Sequence, residues 1–148
     1  MTVARVIRNL ATLAACAALI SSAAACGSSP TGPSSTAPYS QTDVLAGSGT
    51  AAVAGNTVSV NYTGWLYDPA KPDFKGLQFD TSIGKDPFAF VLGIGQVVNG
   101  FDLGVVGMQI GGVRRLVIPP SLGYGAARSG PIPPSATLVF DIQLISVQ

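Results

Sequence analysis

The sequence predicts an α+β fold, a twisted antiparallel β-sheet wrapped around one short α-helix. Four separated segments alternate apolar and polar residues with the period of a half-buried strand, and a single segment has helical spacing. The size also fits: the roughly 106 residues from Asp43 to Gln148 suffice for one hydrophobic core.

The first strand is read over TVSVNYTGWL. Val58, Val60, Tyr62 and Leu66 fall on one face, and Thr57, Ser59, Asn61 and Thr63 on the other. PFAFVL places Phe88, Phe90 and Leu92 in register in the same way. The helix is expected over Gly100 to Met108, where Phe101, Val105 and Met108 recur at i, i+4 and i+7. Asn99 can cap it, and Asp102 lies in the first turn, where the helix dipole favours a negative charge. Gly104 and Gly107 each weaken such a helix by about 1 kcal/mol, so packing must hold it. GGVRRLVIPP is a strand rich in β-branched residues that stops at Pro119-Pro120. The C-terminal ATLVFDIQLISV closes the set, with Leu138, Phe140, Ile142 and Leu144 on one face.

Residues 1–25 have a different organisation. Arg5 and Arg8 precede an apolar run from Leu10 to Ile20, which ends in the small residues Ser21 to Ala25. That order is the pattern of a signal peptide, and the run is about half the ~20 residues a spanning helix needs. Residues 26–42 open with Cys26, the single cysteine that would remain after cleavage, and continue as a Ser/Pro/Gly/Thr stretch that reads as a flexible tether. Ala23-Ala24-Ala25-Cys26 resembles a bacterial lipobox, although Ala23 stands where a large aliphatic residue is usual. The resemblance implies lipidation of Cys26, a membrane anchor through the lipid and residence in the cell envelope. The alternative is ordinary cleavage after Ala25, releasing a soluble secreted protein. The expected division is therefore a signal peptide over 1–25, a lipidated cysteine with linker over 26–42, and a folded domain over 43–148.

Composition excludes much chemistry. The chain has no histidine, and its seven acidic residues are all aspartate and scattered. Without histidine there is no Ser-His-Asp or Cys-His pair, and no cluster suited to a metal. Gly93-Ile94-Gly95 and Gly123-Tyr124-Gly125 are glycine-bearing turns, not phosphate loops. The net charge is +1 with no basic stripe, so nucleic acid is not an expected partner. Rotation about an X-Pro bond is one reaction that needs neither acid–base nor covalent groups. Its barrier of about 18–20 kcal/mol reflects lost amide resonance, and an apolar pocket that prefers the twisted, less polar amide lowers it by differential binding.

VNYTGWL, FDTS, PFAFVLG, QVVNGFD, GYGA and IPPSATLVFDIQLI follow one another in the order and spacing of the FKBP family of prolyl isomerases, and the resemblance covers Thr57 to Val147. It implies an isomerase without cofactor, acting on proline-containing polypeptides of the envelope or exterior, monomeric, and able to bind macrolides such as tacrolimus or rapamycin. Carried over residue by residue, Asp80, Tyr124, Phe79 and Val98 are the catalytic set. Phe79 would pack the prolyl ring and Asp80 lie beside the substrate carbonyl, with the Tyr124 hydroxyl and the Val98 N–H donating to bound carbonyls. Tyr62, Phe88, Gln96, Val97, Phe101, Ile132 and Phe140 would complete the substrate-binding walls, Ile132 as the apolar flap residue and Phe101 as a floor where the family often has tryptophan. The loop Thr81 to Pro87 is about one residue short and has no clear equivalent of the family arginine that pairs with Asp80, a place that Lys85 could fill. By spacing alone, Phe79, Phe88 and Phe140 read as core as readily as site, Asp80 as a solvated turn residue, and Phe90 as core. A proline-binding or chaperone module with low turnover is the alternative function, and a purely structural envelope lipoprotein a third.

Overall fold

A computed structural model describes residues 36–148. The expected signal peptide, Cys26 and most of the linker lie outside the described residues.

Among the described residues, six strands form one antiparallel sheet around a single α-helix, the fold class that the residue patterns predict. They are β1 (Ser40–Leu45), β2 (Thr57–Tyr67), β3 (Lys75–Thr81), β4 (Phe88–Val91), β5 (Val113–Ile118) and β6 (Leu138–Val147), with α1 (Asn99–Val105) between β4 and β5. The order across the sheet is β1-β5-β6-β2-β3, and β4 also pairs with β2. One edge of β2 is thus divided: Thr57 to Val60 face β4, while Thr63 to Tyr67 face β3. Between them, Ser82 stands in for a strand. Its hydroxyl accepts from the Tyr62 N–H at 2.9 Å, and its own N–H donates to the Tyr62 carbonyl at 2.9 Å. The switch of partner at Tyr62 opens the sheet where the site lies.

The alternation read from sequence sorts the side chains. Val58, Val60, Leu116, Ile118, Leu138, Ile142 and Leu144 are fully buried and form the core with Val105 of α1. The helix lies so close to β5 that its glycines are required. A Cβ on Gly104 would meet Leu116 Cδ1 at 2.3 Å, and one on Gly100 would meet Ile118 Cγ2 at 2.5 Å. Packing therefore offsets what those residues lose in helix propensity. The helix is shorter than the spacing predicts. Val98, not Asn99, is its N-cap, without a side-chain bond, and it stops before Gly107, whose φ of +79° turns the chain away. Met108 is buried nonetheless.

Two strands were not evident in the alternation. β1 begins at Ser40, before the boundary expected at Asp43, and all six of its residues are exposed, so backbone pairing with β5 places it. Arg114 adds a side-chain tie. It donates to Asp43 Oδ1 at 2.6 Å and to the carbonyls of Gly104 and Val106 at 2.9 and 3.2 Å. One guanidinium thus joins β1 to the last turn of α1, whose carbonyls need donors. β3 follows a loop turned by Asp73 and Phe74 at φ of 56° and 61°. That unfavourable backbone is held by Phe74 stacking on Tyr67 at 5.2 Å and by Asp73 pairing with Arg115 at 2.8 Å.

Candidate functional site

The sheet's concave face, the N-terminal end of α1 and the turn after β5 enclose a cavity of about 190 Å³. Tyr62 of β2, Phe79 and Asp80 of β3, Phe88 of β4, Phe101 of α1 and Phe140 of β6 line it, with Gln96, Val97 and Val98 on the loop into α1 and Tyr124 after β5. Ten of the eleven pocket residues named from the sequence therefore meet around one space.

The walls are held by ring contacts. Tyr62 meets Phe88, Phe101 and Phe140 edge-on, with centroids 5.9, 5.8 and 6.1 Å apart. Phe140 meets Phe101 at 5.3 Å and Phe79 at 5.6 Å, both near perpendicular. Edge-to-face contact sets each ring's orientation, so the walls are fixed surfaces. Phe90, read as core, is buried and backs Phe101 at 5.8 Å.

Polar groups on the walls fall into two kinds. Asp80 is already engaged, accepting from the Tyr62 hydroxyl at 2.6 Å and from the Thr81 N–H at 2.8 Å. Burial, then the bond to Asp80, pushes the Tyr62 phenol well above its ordinary value, so it stays a neutral donor at physiological pH. Lys85 does not pair with Asp80. Its Nζ donates to the Thr81 carbonyl at 3.1 Å, a backbone acceptor four residues away that the short loop presents. In contrast, the Tyr124 hydroxyl and the Val98 N–H donate to no group among the described residues. Both residues line the cavity.

Ile132, the flap residue that the resemblance implies, is buried in the same cluster as Phe101 and Phe140. It is 4% exposed and packs in the core. Paired backbone bonds with Ser129, at 3.1 and 2.9 Å, tuck it inward, and it does not line the cavity.

Three supporting residues had no part in the sequence reading of the pocket. A Cβ on Gly64 would lie 2.7 Å from both Phe140 Cε1 and Phe79 Cζ, so the glycine makes room for two wall rings. Ser82 completes the split edge at Tyr62. Asp102 was read only as a first-turn acid. Its carboxylate in fact accepts from Gly93 N–H at 2.7 Å and Gly95 N–H at 3.2 Å, and Gln96 Oε1 accepts from Val91 N–H at 2.7 Å. The loop carrying Gln96, Val97 and Val98 is thereby pinned by two side chains. A buried acid beside paired glycines, and a glycine within a strand that also carries an aromatic residue, are the available sequence signals.

Residues 48–145 match the family model described as FKBP-type peptidyl-prolyl cis-trans isomerase. The FK506-binding protein of Neisseria meningitidis serogroup B is 44% identical over 107 residues, covering 71% of this chain and 92% of that protein. FK506-binding protein 1 of Aspergillus oryzae is 41% identical over 108 residues, covering 70% of this chain and 93% of that one. Peptidyl-prolyl cis-trans isomerase FKBP53 of Arabidopsis thaliana is 52% identical over 95 residues, which are 64% of this chain but only 19% of that longer protein. Among solved structures, FkpA from Escherichia coli superposes with a TM-score of 0.63 at 39% identity, covering 74% of this chain and 48% of that one.

Proposed function

The chain belongs to the FKBP-type peptidyl-prolyl cis-trans isomerase family, and from that premise we propose how its own residues perform the reaction and where. The prolyl ring enters between Phe79, Phe101 and Phe140, an apolar space that excludes water from the amide. A planar amide is strongly polar and loses hydration there. The twisted amide has lost resonance, so the cavity favours it, and that difference lowers the barrier. Val98 N–H and the Tyr124 hydroxyl hold the flanking carbonyls and orient the chain. Asp80, held in place by the Tyr62 hydroxyl and the Thr81 N–H, lies beside the rotating carbonyl, where it disfavours the planar ground state. The observation that carries this reading is the pair of unpartnered donors facing a cavity of oriented aromatic rings.

A protease-coupled assay on a short X-Pro peptide tests it. Phe79→Ala and Asp80→Ala are expected to reduce kcat/KM by about tenfold or more, within the range typical for loss of a transition-state contact. Wild-type turnover in both variants would remove these residues from the site. Binding of proline peptides by the wild type without turnover would instead assign a proline-peptide receptor or chaperone module. Tacrolimus and rapamycin are expected to compete for the same cavity.

We further propose that the protein acts on exported or cell-surface polypeptides as a monomer anchored by lipid at Cys26. Arg5, Arg8, the apolar run and the Ala23-Ala24-Ala25-Cys26 sequence support this. The uncatalysed isomerisation of X-Pro bonds takes tens to hundreds of seconds, so newly exported chains gain from such catalysis. Mass spectrometry of the mature N-terminus checks the anchor. A diacylglyceryl-modified Cys26 is expected, and an unmodified thiol would assign the secreted soluble form.

A further inference from the structure

The helix that supplies the floor of the prolyl cavity also borders a second, larger groove. Its volume is about 350 Å³, with apolar walls from Ala54, Leu103, Val106 and Leu122 and polar groups from Asn99 and Asp102. Phe101 and Val105, on the inner face of α1, are buried, whereas Leu103 and Val106 are 56% and 41% exposed. Exposed apolar side chains gathered along a groove mark a surface that meets something.

What it meets is indicated by how the groove adjoins the cavity. Three segments contribute to both spaces. Val98 and Phe101 line the cavity while Asn99 and Asp102 line the groove. On the loop before the helix, Gln96 faces the cavity and Gly93 the groove. In the turn after β5, Tyr124 faces the cavity and Leu122 the groove. The two hollows therefore share these three segments, and Val98 of the cavity and Asn99 of the groove are consecutive residues. We propose that the groove is a second subsite for the polypeptide whose proline fills the cavity, taking an apolar side chain of that same chain. This inference rests on the isomerase reading above.

Charge and spacing narrow the occupant. The single carboxylate in the groove, Asp102, is taken up by the N–H groups of Gly93 and Gly95, so the groove does not ask for a basic side chain. Asn99 has no side-chain hydrogen bond among the described residues, and its amide can both donate to and accept from a passing backbone. A helix with its side chains is about 10 Å across, and an extended chain advances about 3.3 Å per residue. The apolar residue therefore lies roughly three to four positions from the proline.

The test uses the whole protein and two peptide sets. In one, a single leucine stands three or four residues from the proline, on either side; in the other, serine replaces it. Affinity is measured by fluorescence anisotropy and turnover on a short X-Pro peptide by the protease-coupled assay. The expected result is that the best leucine peptide binds roughly fivefold or more tightly than its serine counterpart. Leu103→Ser, at an exposed position, should abolish that preference and leave short-peptide turnover unchanged. Equal binding of leucine and serine peptides at every spacing would overturn the subsite while leaving the isomerase reading intact. A leucine preference that survives L103S combined with V106S would overturn it also. Absent turnover with the leucine preference present and lost in L103S would strike the isomerase reading and support the subsite.

Discussion

Successive residues of β6 meet two different environments. Phe140 points into the cavity, 5.3 Å from Phe101 and 5.6 Å from Phe79. Asp141, on the outer face, accepts from Lys75 Nζ at 2.6 Å and from Arg115 Nε at 2.8 Å, and Arg115 reaches on to Asp73 at 2.8 Å. Lys75 also lies over the Trp65 ring at 4.4 Å. On the outer face every charge in this cluster has a partner. On the inner face the rings touch edge-on and leave a space, with the Tyr124 hydroxyl and Val98 N–H directed at no group among the described residues. The difference separates two uses of one sheet. The paired face fixes where the strands lie, and the unpaired face keeps groups in reserve for a ligand.

The sharpest way to break that contrast is to fill the inner face. Gly64→Ala puts a methyl 2.7 Å from both Phe140 and Phe79, so one of the two rings must leave its position. The expected outcome is a fall in kcat/KM of about 100-fold, with a stability loss of about 1–3 kcal/mol from overpacking. Denaturant unfolding alongside the peptide assay separates the two effects, and unchanged turnover would show that the ring positions do not govern the reaction.

A second variant acts on the rim and leaves the rings alone. Asp102→Ala strips the acceptors from Gly93 and Gly95, at a residue only 9% exposed, and releases the loop that carries Gln96, Val97 and Val98. Because Asp102 acts through that loop, it is a positioning residue. KM for a short peptide should rise about tenfold with kcat less affected, and Asp102→Asn, which keeps one acceptor oxygen, should recover part of the loss. Equal changes in both variants and in both parameters would count against the positioning role.

The residue pattern made the fold legible wherever alternation and burial coincide. In β2 and β6 the buried faces are those the spacing predicts, because a strand with one face in the core must keep its period. β1 escaped because it buries no side chain and is placed by backbone pairing and Arg114. β3 escaped because its KGLQFDT sequence opens with a lysine and a glycine and leaves Leu77 exposed. Helix length was overestimated because spacing at i, i+4 and i+7 runs on to Met108, whereas the positive φ of Gly107 ends the helix first. Motif order, not physical pattern, named the residues that line the cavity. A phenylalanine at strand spacing looks the same whether it borders a cavity or fills a core, and Phe140 and Phe90, both buried, illustrate this, the first lining the cavity and the second backing it. The supports at Gly64, Ser82 and Asp102 were the least visible, since each acts on atoms distant in sequence.

The outer face offers the smallest effect and the cleanest control. Burial acts to raise the Asp141 pKa, but the bonds from Arg115 and Lys75 outweigh it and hold the carboxyl below its ordinary range. A carboxylate whose native pKa is lowered adds stability that is fully present above the unfolded value of about 3.9, and that stability is lost as the pH falls through the native value. All three side chains are partly exposed, at 22%, 24% and 20% for Asp141, Lys75 and Arg115, so solvent screening limits the contribution to about 1 kcal/mol. Asp141→Asn should accordingly lower stability by that amount at neutral pH and flatten the acid limb of the stability curve below about pH 4. Some slope should remain, because the hydrogen bond from Arg114 also lowers the pKa of Asp43. Turnover should stay within about twofold of wild type, since the exchange leaves Phe140 and the cavity untouched. If kcat/KM fell as far as in Gly64→Ala, the two faces of β6 would be energetically coupled, and the division of labour between them would not hold.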